Sequence, residues 1–587
     1  MSRLCRGIAL LLLLTLPAAV QAQFDYTTAN GEITITGYTG LGGAVTIPNT
    51  INSLPVTSIG DNAFYFDPSL TRVTIPDSVT SIGSQVFAFC VSLTDVTIGN
   101  KVTSIGSSAF QNCNDLISIT IPDSVNTIGT NAFSSCSSLS NVSIGSNVTR
   151  IGVSTFQNCT SLTSAIIPNS VTNIESQAFA NCPSLTGVTI GNKVTSIGSQ
   201  AFYYCTSLNT VTLGIRVTSI GRSAFQNCTS LSSVAIPSSV KTIGDVAFYL
   251  CSNLTNVTIG NSVTDIGVGA FQSCTSLIAV TMGASVTTIG ASAFQNCSSL
   301  RNVTIPSGVT SIGTYAFGYC SSLKSVTIPN SVSSIGTYAF ANCTSLTSVT
   351  IGKGVTSIGA SVFQYCASLT KVTVGASVTS IGASAFQQCS GLLSITIPDS
   401  VASIGDTAFY LCSSLTNVLI GKHVTAIGGS AFQQCSNLLS VAISDSATSI
   451  GIRAFAYCFS LTSVAFGSNV TSIGPSAFQQ CSGLLSITMP DSVTSIGDTA
   501  FYLCSGLTNL IIGNGLTSIA GSTFQQCSNL LSVTIGNGVT SIEPSAFGYC
   551  SSLTKVTFGA NVTSIGASAF QQCSGLLSIT IEPVPKG

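Results

Sequence analysis

Residues 79–98 read Val-Thr-Ser-Ile-Gly-Ser-Gln-Val-Phe-Ala-Phe-Cys-Val-Ser-Leu-Thr-Asp-Val-Thr-Ile. Leu93, Val96 and Ile98 form an L-x-x-V-x-I strand in which Val96 and Ile98 alternate with Asp95 and Thr97, so one face is buried and the other solvated. Val79 and Ile82 bracket a second short extended piece. Gly83 then turns the chain. Gly holds the equivalent place in 20 of 23 repeats, and Glu175, Ala520 and Glu543 are the exceptions. A left-handed backbone is therefore favoured there but not mandatory. The segment Ser-Gln-Val-Phe-Ala-Phe-Cys spans one to two helical turns, on which Phe87 and Cys90, three apart, face inward together.

The same frame recurs along the chain. Cysteines stand at Cys90, Cys113, Cys136 and onward to Cys573, 22 of them at an unbroken interval of 23 residues. Phe precedes each by three positions, Ile precedes each Phe by five, and Leu follows each Cys by three. The core ladder thus begins Phe87, Cys90, Leu93 and continues Phe110, Cys113, Leu116. A fixed period of this length marks a solenoid and overrides the several globular domains that 587 residues would otherwise suggest. One coil is too small to fold alone; stacking supplies the inter-coil hydrogen bonds and covers the open apolar faces. The fold class expected is an α/β leucine-rich-repeat solenoid, β-dominated. About 23 coils stack with short parallel strands, one short helical turn per coil and right-handed crossovers.

Four segments follow. Residues 1–22 read as a signal peptide, with Arg3 and Arg6 before the apolar run Ile8 to Leu14 and cleavage near Ala22. Residues 23–58 depart from the frame and read as an N-terminal β-cap, with Asn30-Gly31 as a hairpin turn. Residues 59–581 are the solenoid, and 582–587 a C-terminal tail. The expected location is secreted or at the cell surface.

Only 35 of 587 residues are charged, 6%, with a net charge of −1. An ordinary soluble domain carries roughly 25%. There is no basic footprint for nucleic acid and no polybasic patch for a membrane surface. No stretch after residue 22 has the length of a spanning helix.

The motif Ile121-Pro-Asp-Ser-Val-Asn-Thr-Ile-Gly-Thr-Asn-Ala-Phe-Ser-Ser-Cys-Ser-Ser-Leu139 resembles the BspA-type leucine-rich repeat, over about residues 56–581. The resemblance implies a secreted or surface-displayed solenoid that serves adhesion or binds host proteins or other cells. It carries over no catalytic residue.

His423, the only histidine, occupies a variable turn position without partners for acid–base or metal work. Asp77, Asp123, Asp399 and Asp491 recur in a Pro-Asp-Ser turn, where Asp ordinarily bonds backbone. No two cysteines lie closer than 23 residues, so zinc spacing is absent. No cofactor is expected. The ladder is either eleven disulfides or a stack of buried thiols, and parallel side chains in adjacent coils favour the thiols.

The candidate contact residues are Tyr65, Tyr203, Tyr204, Tyr319, Tyr365, Tyr457 and Tyr549, each one or two places after a repeat Phe. Tyrosine is a residue type enriched at contact surfaces. Thr follows the strand Val in 16 of 23 repeats (Thr74, Thr97, Thr189, Thr350 and Thr580 among them), a ladder suited to ice or a repetitive glycan, or simply to an exposed strand. Residues 384–412 and 476–504 differ at two positions. Such recent duplication argues for multivalent binding along a face. The function expected is a non-enzymatic scaffold, monomeric, binding extracellular proteins or glycans. The alternatives are a structural rod without a specific ligand, or the Thr-ladder binder.

Overall fold

The computed structural model describes residues 23–581, so the expected signal peptide and C-terminal tail lie outside the described residues. The chain divides into two compact units, up to Val286 and from Thr287 onward. Each is a β-solenoid of stacked parallel-strand coils.

The first unit opens with an antiparallel hairpin, β1 (Phe24–Ala29) and β2 (Glu32–Tyr38). Asn30 and Gly31 turn between them with φ of 53° and 80°. After β3 (Gly43–Thr46) and β4 (Thr50–Ile51), β5 (Leu54–Ile59) pairs in parallel with β2, while β3 pairs in parallel with β6 (Leu70–Thr74). Residues 24–58 thus form an irregular first coil that supplies a leading strand to each of two ladders. One ladder continues through the Val-Thr-Ser-Ile strands, such as Ser81–Ile82 on Ser104–Ile105. The other continues through the L-x-x-V-x-I strands, such as Arg72–Thr74 on Asp95–Thr97. Register advances 23 residues per step, so Ile meets Ile and Val meets Val. The second unit repeats both ladders, with Ser325–Ile328 on Ser348–Ile351 and Ser357–Ile358 on Ser380–Ile381.

Between Gly and Cys the structure departs from the sequence expectation: among the described residues there is no helix. Residues 84–89 form consecutive β-turns, closed by Ala88 N–H to Gln85 O (3.2 Å) and Cys90 N–H to Phe87 O (3.2 Å). Gln85 and Phe89 are left-handed, with φ of 56° and 62°, and each breaks a right-handed run. The alternate N–H groups of Gln85, Phe87 and Phe89 point along the stack and donate to Ser107, Ala109 and Gln111 of the next coil at 2.7–2.9 Å. The segment gives half its donors to its neighbour, whereas an α-helix would keep them all.

The recurrent Gly also serves a different purpose from the one expected. Gly83 does not have positive φ. A Cβ there would stand 2.8 Å from the Asp61 backbone, and one on Gly405 would stand 2.6 Å from that of Ala383. Close approach of successive backbones, not a left-handed turn, requires the missing side chain. The three exceptions cluster at coils in which Thr replaces the Ala before Phe. Thr155 Oγ1 donates to Gly152 O (2.9 Å), and Thr523 Oγ1 to Ala520 O (2.7 Å). Ala520 shares its coil with Thr523, while Glu175 and Glu543 open the coils that follow Thr155 and Thr523.

The core is a set of columns. Phe87, Cys90, Leu93, Phe110, Cys113 and Leu116 are all fully buried. Within each unit adjacent Phe rings stack with centroids 5.0–5.5 Å apart. Tyr38 prolongs that column beyond Phe64 at 5.0 Å.

Candidate binding surface

Among the described residues the cysteines are free thiols, all buried except the half-buried Cys573. Each sits where the turn segment ends. Cys90 Sγ donates to the carbonyl of Phe64 at 3.1 Å, and the same bond recurs down each unit, reaching 3.4 Å at Cys527. Burial pushes the thiols of Cys205 and Cys412 up to about 12. Such thiols are held as hydrogen-bond donors and are poor nucleophiles and poor ligands. Among the described residues no three His, Cys, Asp or Glu side chains converge as a metal would need.

The turn aspartates bond the coil ahead, not their own turn. Asp77 Oδ1 accepts the N–H of Asn100 at 2.7 Å, and Asp399 Oδ1 that of Lys422 at 3.0 Å. That N–H, with the Lys422 ammonium 3.1 Å from the other oxygen, holds the Asp399 carboxyl below its ordinary value. His423 is exposed, its Nδ1 2.9 Å from Asp399 O. These contacts fasten coil to coil. They bring no acid, base and nucleophile together.

The expected tyrosines fall on the turn edge, at two positions. Tyr204, Tyr319, Tyr365, Tyr457 and Tyr549 stand two places after Phe, on the second left-handed residue of the coil. Each backbone N–H there donates to the next coil, Tyr365 to Gln387 O at 2.8 Å for example. Backbone geometry therefore fixes where these rings emerge. Tyr204, Tyr319, Tyr365 and Tyr549 are 36–48% exposed, and Tyr457 is half-buried. Tyr65 and Tyr203 stand one place after Phe. Tyr203 is half-buried against Tyr204, 5.6 Å away, while the exposed Tyr65 and Phe66 meet the half-buried Phe89.

A column of exposed leucines at Leu393, Leu439, Leu485 and Leu531, beside the strands, escaped the sequence reading. Its signal was present: Leu-Leu recurs every 46 residues, and only the first Leu of each pair belongs to the repeat. Most threonine hydroxyls before the strands are committed to neighbouring coils, as Thr195 Oγ1 is to Thr172 O at 3.1 Å.

A repeat solenoid with a solvated turn edge and a predominantly apolar interior belongs to the class of non-globular scaffold folds. The chain belongs to the BspA-type leucine-rich repeat family, whose model matches overlapping stretches from 57–186 to 477–584. A leucine-rich repeat protein from Bacteroides ovatus is 27% identical over 76% of this chain and 98% of its own, with a TM-score of 0.48. A leucine-rich cell surface protein from Faecalibacterium prausnitzii is 32% identical over 68% of this chain and 93% of its own, with a TM-score of 0.32. A leucine-rich repeat protein from T. pallidum is 34% identical over 32% of this chain and 88% of its own, with a TM-score of 0.31. No curated protein matches. Members of such scaffold families generally bind other proteins. Among the described residues no helix is long and apolar enough to cross a membrane.

Proposed function

We propose that this protein is a non-enzymatic scaffold, secreted or displayed at the cell surface, that attaches to extracellular proteins or glycans through its turn edge. Residues 1–22 direct export, residues 23–58 cap the first coil, and the mature chain acts as a monomer. Contact is made by Tyr65, Tyr203, Tyr204, Tyr319, Tyr365, Tyr457 and Tyr549. The observation that carries the reading is the exposure of Tyr204, Tyr319, Tyr365 and Tyr549, each on a left-handed residue of the turn edge. A rigid amphipathic ring gives contact area at low entropic cost.

The test is attachment of the purified mature chain to immobilised matrix proteins, intact cells and polysaccharides. Saturable attachment is expected, weakened when Tyr319, Tyr365 and Tyr549 are changed together to Ala. Non-saturable adsorption to every surface would leave the structural-rod reading in its place.

A further inference from the structure

In the second unit the position two places after Phe follows a strict two-coil rhythm. Every second coil presents a ring or an apolar side chain there: Tyr319, Tyr365, Leu411, Tyr457, Leu503 and Tyr549. The coils between present an amide: Asn342, Gln388, Gln434, Gln480 and Gln526. All have positive φ, so all leave the backbone in one direction. The first unit differs. There Asn158 and Asn181 occupy this position in adjacent coils, and Asn181 Nδ2 donates to Asn158 Oδ1 at 3.0 Å. Where apolar residues intervene, the amides stand two coils apart and cannot do this. None of the five side-chain amides has a hydrogen-bonding partner among the described residues. Their donors and acceptors are unspent.

Four of these side chains line a groove that crosses their coils. Over Asn342, Tyr365, Gln388 and Leu411 it has a volume of about 390 Å³, with Ala367 and Ser390 also lining it. No Lys, Arg, Asp, Glu or His lines it. The occupant that fits is neutral, long and periodic. Ring spacings of 5.3 and 5.0 Å between Phe386, Phe409 and Phe432 put the two-coil repeat at about 10 Å. An extended peptide presents one face every ~6.6 Å, out of step at the first repeat. A polyproline II segment repeats every ~9.3 Å and drifts by about half a period over five steps. An extended β-1,4-linked pyranose chain shows the same sugar face once per disaccharide, a length that matches two coils. Its apolar ring faces suit tyrosine, and its hydroxyls suit an amide that both donates and accepts.

We infer that the turn edge of the second unit, from Tyr319 to Tyr549, binds a neutral, linear, β-1,4-linked polysaccharide lengthwise, one disaccharide to every two coils. The inference rests on the reading of the edge tyrosines as contact residues and names the ligand of that edge.

The experiment is calorimetric titration of the full mature chain with β-1,4-linked oligomers of glucose and of N-acetylglucosamine, of increasing length. Affinity should rise with each added disaccharide and stay constant from low to high salt. Tyr365→Ala combined with Tyr457→Ala should weaken binding on the order of tenfold, and Gln388→Ala combined with Gln434→Ala should also weaken it. Tyr365→Phe should retain the stacking and the affinity. Ile215→Ala, an exposed residue of the first unit, should change nothing. Thermal unfolding of each variant separates lost binding from lost fold. No heat with any β-linked oligomer, equal binding of helical α-1,4-linked glucose oligomers, or binding of a proline-rich peptide instead would overturn the inference. If attachment to matrix protein then persisted and still needed the tyrosines, the glycan alone would be wrong. If no surface bound saturably, the scaffold reading would fall with it.

Discussion

Cys412 shows what a single ladder residue does. Its thiol donates to the carbonyl of Phe386 at 3.2 Å, an oxygen that also accepts the N–H of Cys389 at 3.1 Å. The sulfur fills core volume and serves the second lone pair of a buried carbonyl. Cys412→Ser preserves the donor and is expected to cost no more than about 1 kcal/mol, whereas Phe409→Ala, which opens a void in the ring column, should cost about 3–5 kcal/mol. Urea-unfolding midpoints compare the two. A thiol reagent tests the ladder directly. Native protein should react slowly, at Cys573 first, and denatured protein should release every ladder thiol without reductant. Fewer than four thiols per denatured chain would overturn the free-thiol ladder. The column itself was legible from spacing alone, because an unvarying side chain at an unvarying interval needs no structure to be seen. The thiol's acceptor was not, since it lies 26 residues back on a backbone whose course the spacing leaves open.

At the scale of the element, the turn segment is where sequence and structure part. Phe and Cys three apart fit one helical turn and a train of β-turns equally well. The two are distinguished by Gln85 and Phe89, whose left-handed backbone is uncommon for such side chains. Recurring Asn at the equivalent positions, as in Asn112, Asn131 and Asn158, was the available clue. The Tyr edge, by contrast, stands beside the turn whichever conformation the turn takes, since its position follows from the spacing to Phe. The close-packed glycines give a paired prediction. Gly405→Ala forces a Cβ to 2.6 Å from the Ala383 backbone and should destabilise by about 1–3 kcal/mol. Gly359→Ala meets nothing nearer than Ile335 O at 3.2 Å and should stay within about 0.5 kcal/mol. Equal shifts in melting temperature for both would refute the close-approach account.

Across the whole molecule, charge does little. Among the described residues three ion pairs are found, Arg72–Asp95, Arg150–Glu175 and Lys422–Asp399, all at the surface, where solvent screening leaves each little net worth. Melting temperature should therefore be nearly indifferent to salt. Alkali is another matter. The buried thiols stay protonated to about 12 in the folded chain, against an ordinary value of 9.0. Between those pH values the unfolded chain has given up protons that the folded chain retains, so stability is intact below pH 9 and falls as pH rises toward 12. Each such thiol contributes a slope of up to about 1.4 kcal/mol per pH unit, and the ladder multiplies it. Circular dichroism against pH should show steep unfolding above pH 9, abolished when the medium is returned to neutrality. On the acid side Asp123, Asp399 and Asp445 have lowered values, caused first by the backbone N–H each accepts. Their contribution is present above about 3.8 and fades as pH falls below it, so the acid limb should be shallow.

The Thr-bearing coils acquire another meaning in a chain of near-identical parts. If every coil fitted every other, a refolding chain that looped out 23 residues would lose little contact energy and gain a stable, wrongly threaded product. Thr155 with Glu175, and Thr523 with Ala520 and Glu543, set their coils apart from the ordinary ones, because a residue other than Gly stands at this position only in a Thr coil or directly behind one. They act as bookmarks against misthreading. Thr523→Ala combined with Ala520→Gly and Glu543→Gly should leave the folded state intact but slow its recovery from urea and divide it among several species on a native gel. Single-phase recovery of one species would show that the marks are not read.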